Sequence, residues 1–180
     1  MARTLYSVTM SLDGFIAGPG GDMSWLTAYI GPNPDVDELI GRIGALLVGN
    51  HTFGGDDPHR GTEKQGKPFG GGWEGPQFVL THQVPDKAVP GVTFVADLAA
   101  GLAAAKAAAG DRYVNIMGAS VARQCLRAGE LDELFALIAP VLLGDGVRLF
   151  SQPGGLQIGL ERMKTTEAPL ATGLWYRVVR

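Results

Sequence analysis

The stretch Tyr113-Val114-Asn115-Ile116-Met117-Gly118-Ala119-Ser120, continuing to Ala128 and Gly129, decides how this chain is read. Tyr113 to Met117 has the character of a strand, and Gly118-Ala119-Ser120 starts a helix that runs through Ala128 and is closed by Gly129. Small residues at such a strand-to-helix turn let an anion approach the free backbone N–H groups at the positive end of the helix. A plainer reading needs only a tight turn at Gly118 and a helix cap at Ser120. The pattern is not G-x-G-x-x-G, so a Rossmann fingerprint is absent.

Working outward, Leu5 to Met10 alternates sides as a first strand and leads into Ser11-Leu12-Asp13-Gly14. Asn33-Pro34-Asp35 opens a helix with Val36, Leu39, Ile40 and Ile43 on its apolar face, expected to end at Gly44. Ala45 to Val48 is a continuous apolar run, the mark of a short parallel strand buried on both faces. Residues 54 to 76 carry eight glycines and three prolines, a loop too long for a simple connector and of the kind that covers sites. Phe78 to Thr81 and Val92 to Val95 read as strands. Asp97 caps a helix whose residues Leu98, Leu102, Ala105 and Ala109 share a face before Gly110. Glu133 to Val141, Leu156 to Thr165 and Leu174 to Val179 read as strands. Alternation of strand and helix followed by strands alone implies an α/β fold with a mixed sheet and an antiparallel edge.

The whole chain sets bounds on these readings. Its 180 residues suit one domain with a hydrophobic core. Charged residues make up 18% and no apolar run approaches the roughly 20 residues that span a bilayer, so no membrane association is expected. A net charge of −3 with scattered basic residues offers no field for nucleic acid. The amino-terminal residues lack the apolar segment of a secretory signal, and the single cysteine, Cys125, fits a reducing compartment. A cytoplasmic location is expected, with Cys125 as a small buried hydrophobe.

Two further strand ends carry polar residues, Gly49-Asn50-His51-Thr52 and Thr81-His82. Open sheets bind ligands outside the carboxyl ends of their strands, so these ends, the Gly118 turn and the long loop together suggest a nucleotide crevice. His51, His59 and the Asp56-Asp57 pair have no metal-ligand spacing, and no metal is expected. Neither Ser11 nor Ser120 stands in a nucleophile elbow.

Ser11-Leu12-Asp13-Gly14, Trp25, Gly49 with Thr52, Asp56-Asp57-Pro58, Gly118, and Leu131-Asp132-Glu133-Leu134 followed by Pro140 and Gly144 occur in an order that covers most of the chain. In this the chain resembles the C-terminal reductase domain of bacterial riboflavin biosynthesis and its stand-alone relatives, within the dihydrofolate reductase superfamily. The resemblance implies a dihydrofolate reductase-like three-layer fold, a mostly parallel central sheet, NADPH as cofactor and a homodimer. It implies that Thr9 and Trp25 lie beside the nicotinamide end and that Gly49, Asn50, His51, Thr52 and Asp56 sit along the cofactor. Thr81 and His82 would flank the adenosine ribose, and Gly118, Ala119, Ser120, Val121 and Ala122 would hold the pyrophosphate. Met23 and Arg60 fall where relatives line the substrate pocket, with Asp13 nearby, although Asp13 also suits a purely local role in its turn.

Several positions depart from the pattern. Riboflavin reductases carry an acidic residue where this chain has Met117 and a pocket arginine where it has Glu63. Dihydrofolate reductases place an arginine against the cofactor 2′-phosphate where this chain has Asn50. The H-x-E and P-C-x-x-C elements of the associated zinc deaminase do not occur, so no deaminase chemistry is expected. The expected function is NADPH-dependent hydride transfer to a small polar, heterocyclic substrate. The alternatives are a non-catalytic NADP(H)-binding or sensing module and a structural dimerisation domain. No side chain stands out as catalytic. Gly118 is expected to serve the ligand rather than the fold, and the apolar run Leu134 to Leu143 to continue the core across a dimer.

Overall fold

The computed structural model describes residues 1–179. In chain order it contains β1 (Thr4–Ser11), β2 (Phe15–Ala17), α1 (Pro34–Arg42), β3 (Ile43–Gly49), α2 (Asn50–Phe53), β4 (Gln77–Leu80) and β5 (Val92–Val95). These are followed by α3 (Leu98–Ala109), β6 (Tyr113–Met117), α4 (Ala119–Arg127), β7 (Glu133–Ala139), β8 (Val147–Arg148), β9 (Leu160–Ala168) and β10 (Ala171–Val178). Eight strands form one sheet in the order β5-β4-β3-β6-β1-β7-β10-β9, and β2 pairs with β8 in a small second sheet. The strands from β5 to β7 run parallel, and β10 and β9 close the edge antiparallel. This is the dihydrofolate reductase-like architecture, with helices on both faces of a mixed sheet.

Each face of the sheet has its own core. Tyr6, Leu47, Val114 and Ile116 pack on one face with Leu102, Ala105 and Ala109 of α3 and with Val121, Ala122 and Cys125 of α4. Leu5, Leu46, Val48, Val79, Phe135 and Trp175 pack on the other with Leu39 of α1 and Trp73. All seven residues of β3 are buried, and each of its Ile, Leu and Val side chains contributes roughly 1.5 to 3 kcal/mol by leaving water. Burial pushes the Cys125 thiol up to about 12, so it is an inert core residue. Asn33 Oδ1 accepts from the N–H of Asp35 and Val36 to start α1, and Asp97 Oδ1 accepts from Ala100 N–H at 2.8 Å to start α3.

A buried carboxylate fastens the amino end of the sheet, away from the strand ends that form the crevice. Glu133, 1% exposed, receives Arg3 Nη1 at 2.6 Å, Tyr113 Oη at 2.9 Å and Trp175 Nε1 at 2.8 Å. Burial, and then the bond to Glu133, push the Tyr113 hydroxyl up to about 12. One charge thus links β1, β6, β7 and β10.

Three expectations need correction. Gly44 does not stop α1: it lies inside β3, where a Cβ would sit 2.6 Å from the carbonyl oxygen of Ala109. Glycine is needed there so that the end of α3 can touch the sheet. Of the run Leu134 to Leu143, the first six residues form β7 and are covered within the chain by β1 and β10, whereas Leu142 beyond it is exposed. The penultimate strand begins at Leu160 rather than Leu156. The short β2–β8 pair, with only three and two residues, offers too little periodicity to be read in advance. Among the described residues no helix is long and apolar enough to cross a membrane, and no group of His, Cys, Asp and Glu is placed to hold a metal ion.

Candidate active site

The carboxyl ends of β1, β3, β4 and β6 open into a cleft of about 2660 Å³. A pocket for one small ligand usually measures roughly 300 to 1,000 Å³, so this half-open cleft exceeds what one such ligand needs. Thr9, Gly49, Asn50, His51, Thr52, Asp56, Thr81, His82, Gly118, Ala119, Ser120, Val121 and Met23 all line it. The sequence-derived positions converge because parallel strands deliver their ends to one edge, with β6 between β3 and β1.

At its centre Gly118 sits at φ +107, a conformation that side chains resist. A Cβ there would lie 2.5 Å from Thr52 Oγ1, so the turn before α4 and the turn after β3 are in close contact. Gly118 therefore serves the fold as well as the cleft, contrary to the expectation that it serves the ligand alone. No side chain caps α4 at Gly118, whereas α1 and α3 are capped by Asn33 and Asp97. The first N–H groups of α4, at the positive end of the helix, thus have no side-chain cap. Val121 and Ala122 turn their side chains into the core, at 2% and 0% exposure, so only their backbone can take part in binding.

Asp56 ties the long loop to the cleft wall. It accepts Met23 N–H at 3.0 Å and Asp57 N–H at 2.9 Å, and pairs with Arg60 Nη2 at 2.5 Å. The bond from Met23, with those from Asp57 and Arg60, holds its carboxyl below the usual range against the opposing effect of burial. Asp57 accepts from His59 and Gly66 N–H, and Trp73 Nε1 donates to the Ile43 carbonyl at 3.1 Å. These anchors make residues 54 to 76 an ordered wall. Trp73 was not singled out in the sequence because its role depends on a partner thirty residues away.

Other candidates lie apart from the cleft wall. Asp13 braces the turn after β1: its carboxylate accepts from Ser11 Oγ at 2.5 Å, Leu143 N–H at 3.1 Å and Gly144 N–H at 2.7 Å. The Ser11 hydroxyl, with the two amides, lowers its pKa to about 2. Trp25 stacks obliquely on Tyr29 with its Nε1 buried and unpartnered, and Arg60 is committed to Asp56. Thr81 does line the cleft, but its hydroxyl closes its own turn with Gln83.

Comparison with known proteins follows this geometry. A family model described as the RibD C-terminal domain matches residues 4–170. The chain is similar in structure to a protein of Shewanella sp. PV-4 named for riboflavin biosynthesis, with 25% identity, a TM-score of 0.75 and all of both chains covered. It is also similar to the riboflavin biosynthesis reductase of Saccharomyces cerevisiae, with 18% identity, a TM-score of 0.67 and coverage of 99% of this chain and 90% of that one. RibD of Acinetobacter baumannii matches with 18% identity and a TM-score of 0.70, over 99% of this chain but 58% of its own. No protein of curated function matches the sequence.

Proposed function

Since the chain belongs to the RibD C-terminal domain family and is an oxidoreductase of the riboflavin-reductase type, we propose that it binds NADPH in this cleft and reduces a small polar, heterocyclic substrate. The observation that carries the reading is the uncapped start of α4 beside Gly118 and Thr52, inside a cleft larger than one small ligand needs. The backbone of Ala119 to Ala122 would receive the pyrophosphate, with Thr52, Asn50 and His51 along the cofactor and Thr81 and His82 toward the adenosine. Thr9 would stand beside the nicotinamide, with Met23 toward the substrate. Trp25, Asp13 and Arg60 would support this end of the site from behind the wall. NADPH, when bound, supplies the hydride. The residues of the chain align the two ligands and exclude water. The backbone N–H groups and the hydroxyls of Thr9 and Thr52 suit a phosphate-bearing dinucleotide, and Asn50 reduces the preference for the 2′-phosphate relative to an arginine at that place.

The same reading places the protein in the cytoplasm as a homodimer. The dimer is supported by β9, an edge strand with Leu160 and Met163 exposed, rather than by the buried run of β7. Static light scattering at micromolar concentration tests this assembly, and a monomer would refute it. Fluorescence titration with NADPH and NADH, followed by a substrate screen monitored through cofactor oxidation, tests the activity. Binding with turnover is expected. Binding without turnover across the screen would favour a sensing module, and no binding a structural role.

A further inference from the structure

The long loop meets the cleft at Pro68-Phe69-Gly70. Phe69 stands at φ +52 and ψ +35, and among the described residues it is the one non-glycine with a positive φ. A side chain resists this left-handed conformation, and for a bulky ring it is an outlier. Glycine adopts it freely, as Gly70 does next to it at φ +62. A phenyl ring kept here against the preference of its own backbone calls for a reason in the ring itself.

The ring is half-buried. It packs against the core cluster on the α1 side of the sheet, which contains Leu39 and Trp73, and it lines the cleft. Five aromatic side chains do so: Tyr6, Tyr29, Phe53, Phe69 and Phe135. Four of them meet another ring of the chain, Tyr6 against Phe150, Tyr29 against Trp25, Phe53 against Phe94 and Phe135 against Trp175, with centroids 4.9 to 6.2 Å apart. Phe69 alone, among the described residues, has neither an aromatic nor a cationic partner at its ring. Its neighbours on this side of the cleft, Val36, Ile40, Met117 and Leu137, offer no π surface.

We infer that Phe69 determines substrate specificity by stacking its open face on the ring of the substrate, so that the site takes a flat polar heterocycle in preference to a puckered ring with the same polar groups. The inference rests on the reading of the cleft as a reductase site and names the ring that site takes. Aliphatic walls hold a ring by area alone, whether it is flat or puckered. A phenyl ring gains more than area against a second π system, and a flat heterocycle has such a face whatever polar atoms its edge carries. The left-handed turn at Phe69 and Gly70 sets the direction in which the ring leaves the chain, which is why the strain is kept.

The test uses the full chain with uridine and cytidine as flat probes and dihydrouridine as the puckered counterpart of uridine. Calorimetric titration is made on the wild type, Phe69→Leu and Phe69→Tyr, with folding checked by thermal melting and NADPH binding followed by fluorescence. Wild type is expected to bind uridine roughly three- to tenfold more tightly than dihydrouridine. Phe69→Leu should bring that ratio close to one by weakening the flat probes, and Phe69→Tyr should keep it. If the leucine variant does not fold, the Phe69 ring protons of the wild type decide by NMR: uridine should shift them and dihydrouridine should not. A wild-type ratio near one, a ratio kept in Phe69→Leu, or no binding of either flat probe at millimolar concentration would overturn the assignment. So would a Phe69→Leu protein that loses NADPH affinity while its uridine affinity is unchanged, since the ring would then belong to the cofactor. Discrimination through Phe69 in a protein that fails to bind NADPH would instead sink the reductase reading and leave the Phe69 assignment standing.

Discussion

Replacing Gly118 by alanine tests whether one position joins the fold to the cleft. The added Cβ meets two obstacles. The backbone stands at φ +107, where a non-glycine residue costs about 1 to 2 kcal/mol, and the new atom lies 2.5 Å from Thr52 Oγ1. Thr52 is exposed and can move partly aside, so the steric contribution belongs near the low end of the roughly 1 to 3 kcal/mol typical of overpacking. The sum is a loss of about 2 to 4 kcal/mol, which for a chain of this size lowers Tm by roughly 4 to 16 °C. The steric share should depend on Thr52. Urea unfolding of wild type, Gly118→Ala, Thr52→Ala and the double variant isolates it as a double-mutant cycle. We expect the Thr52→Ala background to reduce the cost of Gly118→Ala by about 1 kcal/mol or more, leaving the backbone strain. A stable Gly118→Ala protein, or a cost indifferent to Thr52, would refute the reasoning. NADPH titration of the same proteins at a temperature where all are folded should show a weaker complex for Gly118→Ala.

Glu133→Ala should lose about 3 to 5 kcal/mol in urea unfolding, because Arg3, Tyr113 and Trp175 lose a shared buried acceptor, yet its NADPH affinity should match the wild type. A loss below about 1 kcal/mol would count against the network. Gly44→Ala places a methyl against backbone atoms of Ala109 that cannot rotate away, so it should destabilise by about 1 to 3 kcal/mol, measured by thermal melting. Asp13 carries a pKa lowered from 3.8 to about 2, so the folded state favours its charged form. Its contribution to stability is present above the unfolded value and is lost as pH falls from about 4 to 2. Asp13→Asn should therefore flatten the stability profile in that window; an unchanged acid slope would show that the carboxylate does not brace the 143–144 loop.

The parallel core was legible because its signals are local. The apolar run of β3, the Asn33 and Asp97 caps and the Gly118 turn all depend on neighbours within a few residues, and the structure places each as the sequence suggests. Gly44 misled because a glycine after an amphipathic helix looks like a stop, while its purpose is the distant approach of Ala109. The run from Leu134 suggests a core continued across a dimer for a similar reason: apolarity shows that a strand is covered, not by what. The polar residues at the strand ends line one cleft because the parallel topology brings those ends to one edge. The role of Trp73 and, at the far end of the sheet, the bonds that Glu133 receives have no local signal, since each acts through a partner far along the chain.

Amide NMR mapping of NADPH binding tests the central claim most directly, because it reports where the cofactor sits without requiring a substrate. Saturating NADPH is expected to shift the amides of Gly49 to Thr52 and of Gly118 to Ala122 most strongly, with smaller effects at Thr81 and His82 and none at Glu133. Shifts concentrated elsewhere, on α3 or along β9, or no shifts at millimolar NADPH, would contradict the placement of the cofactor at the start of α4.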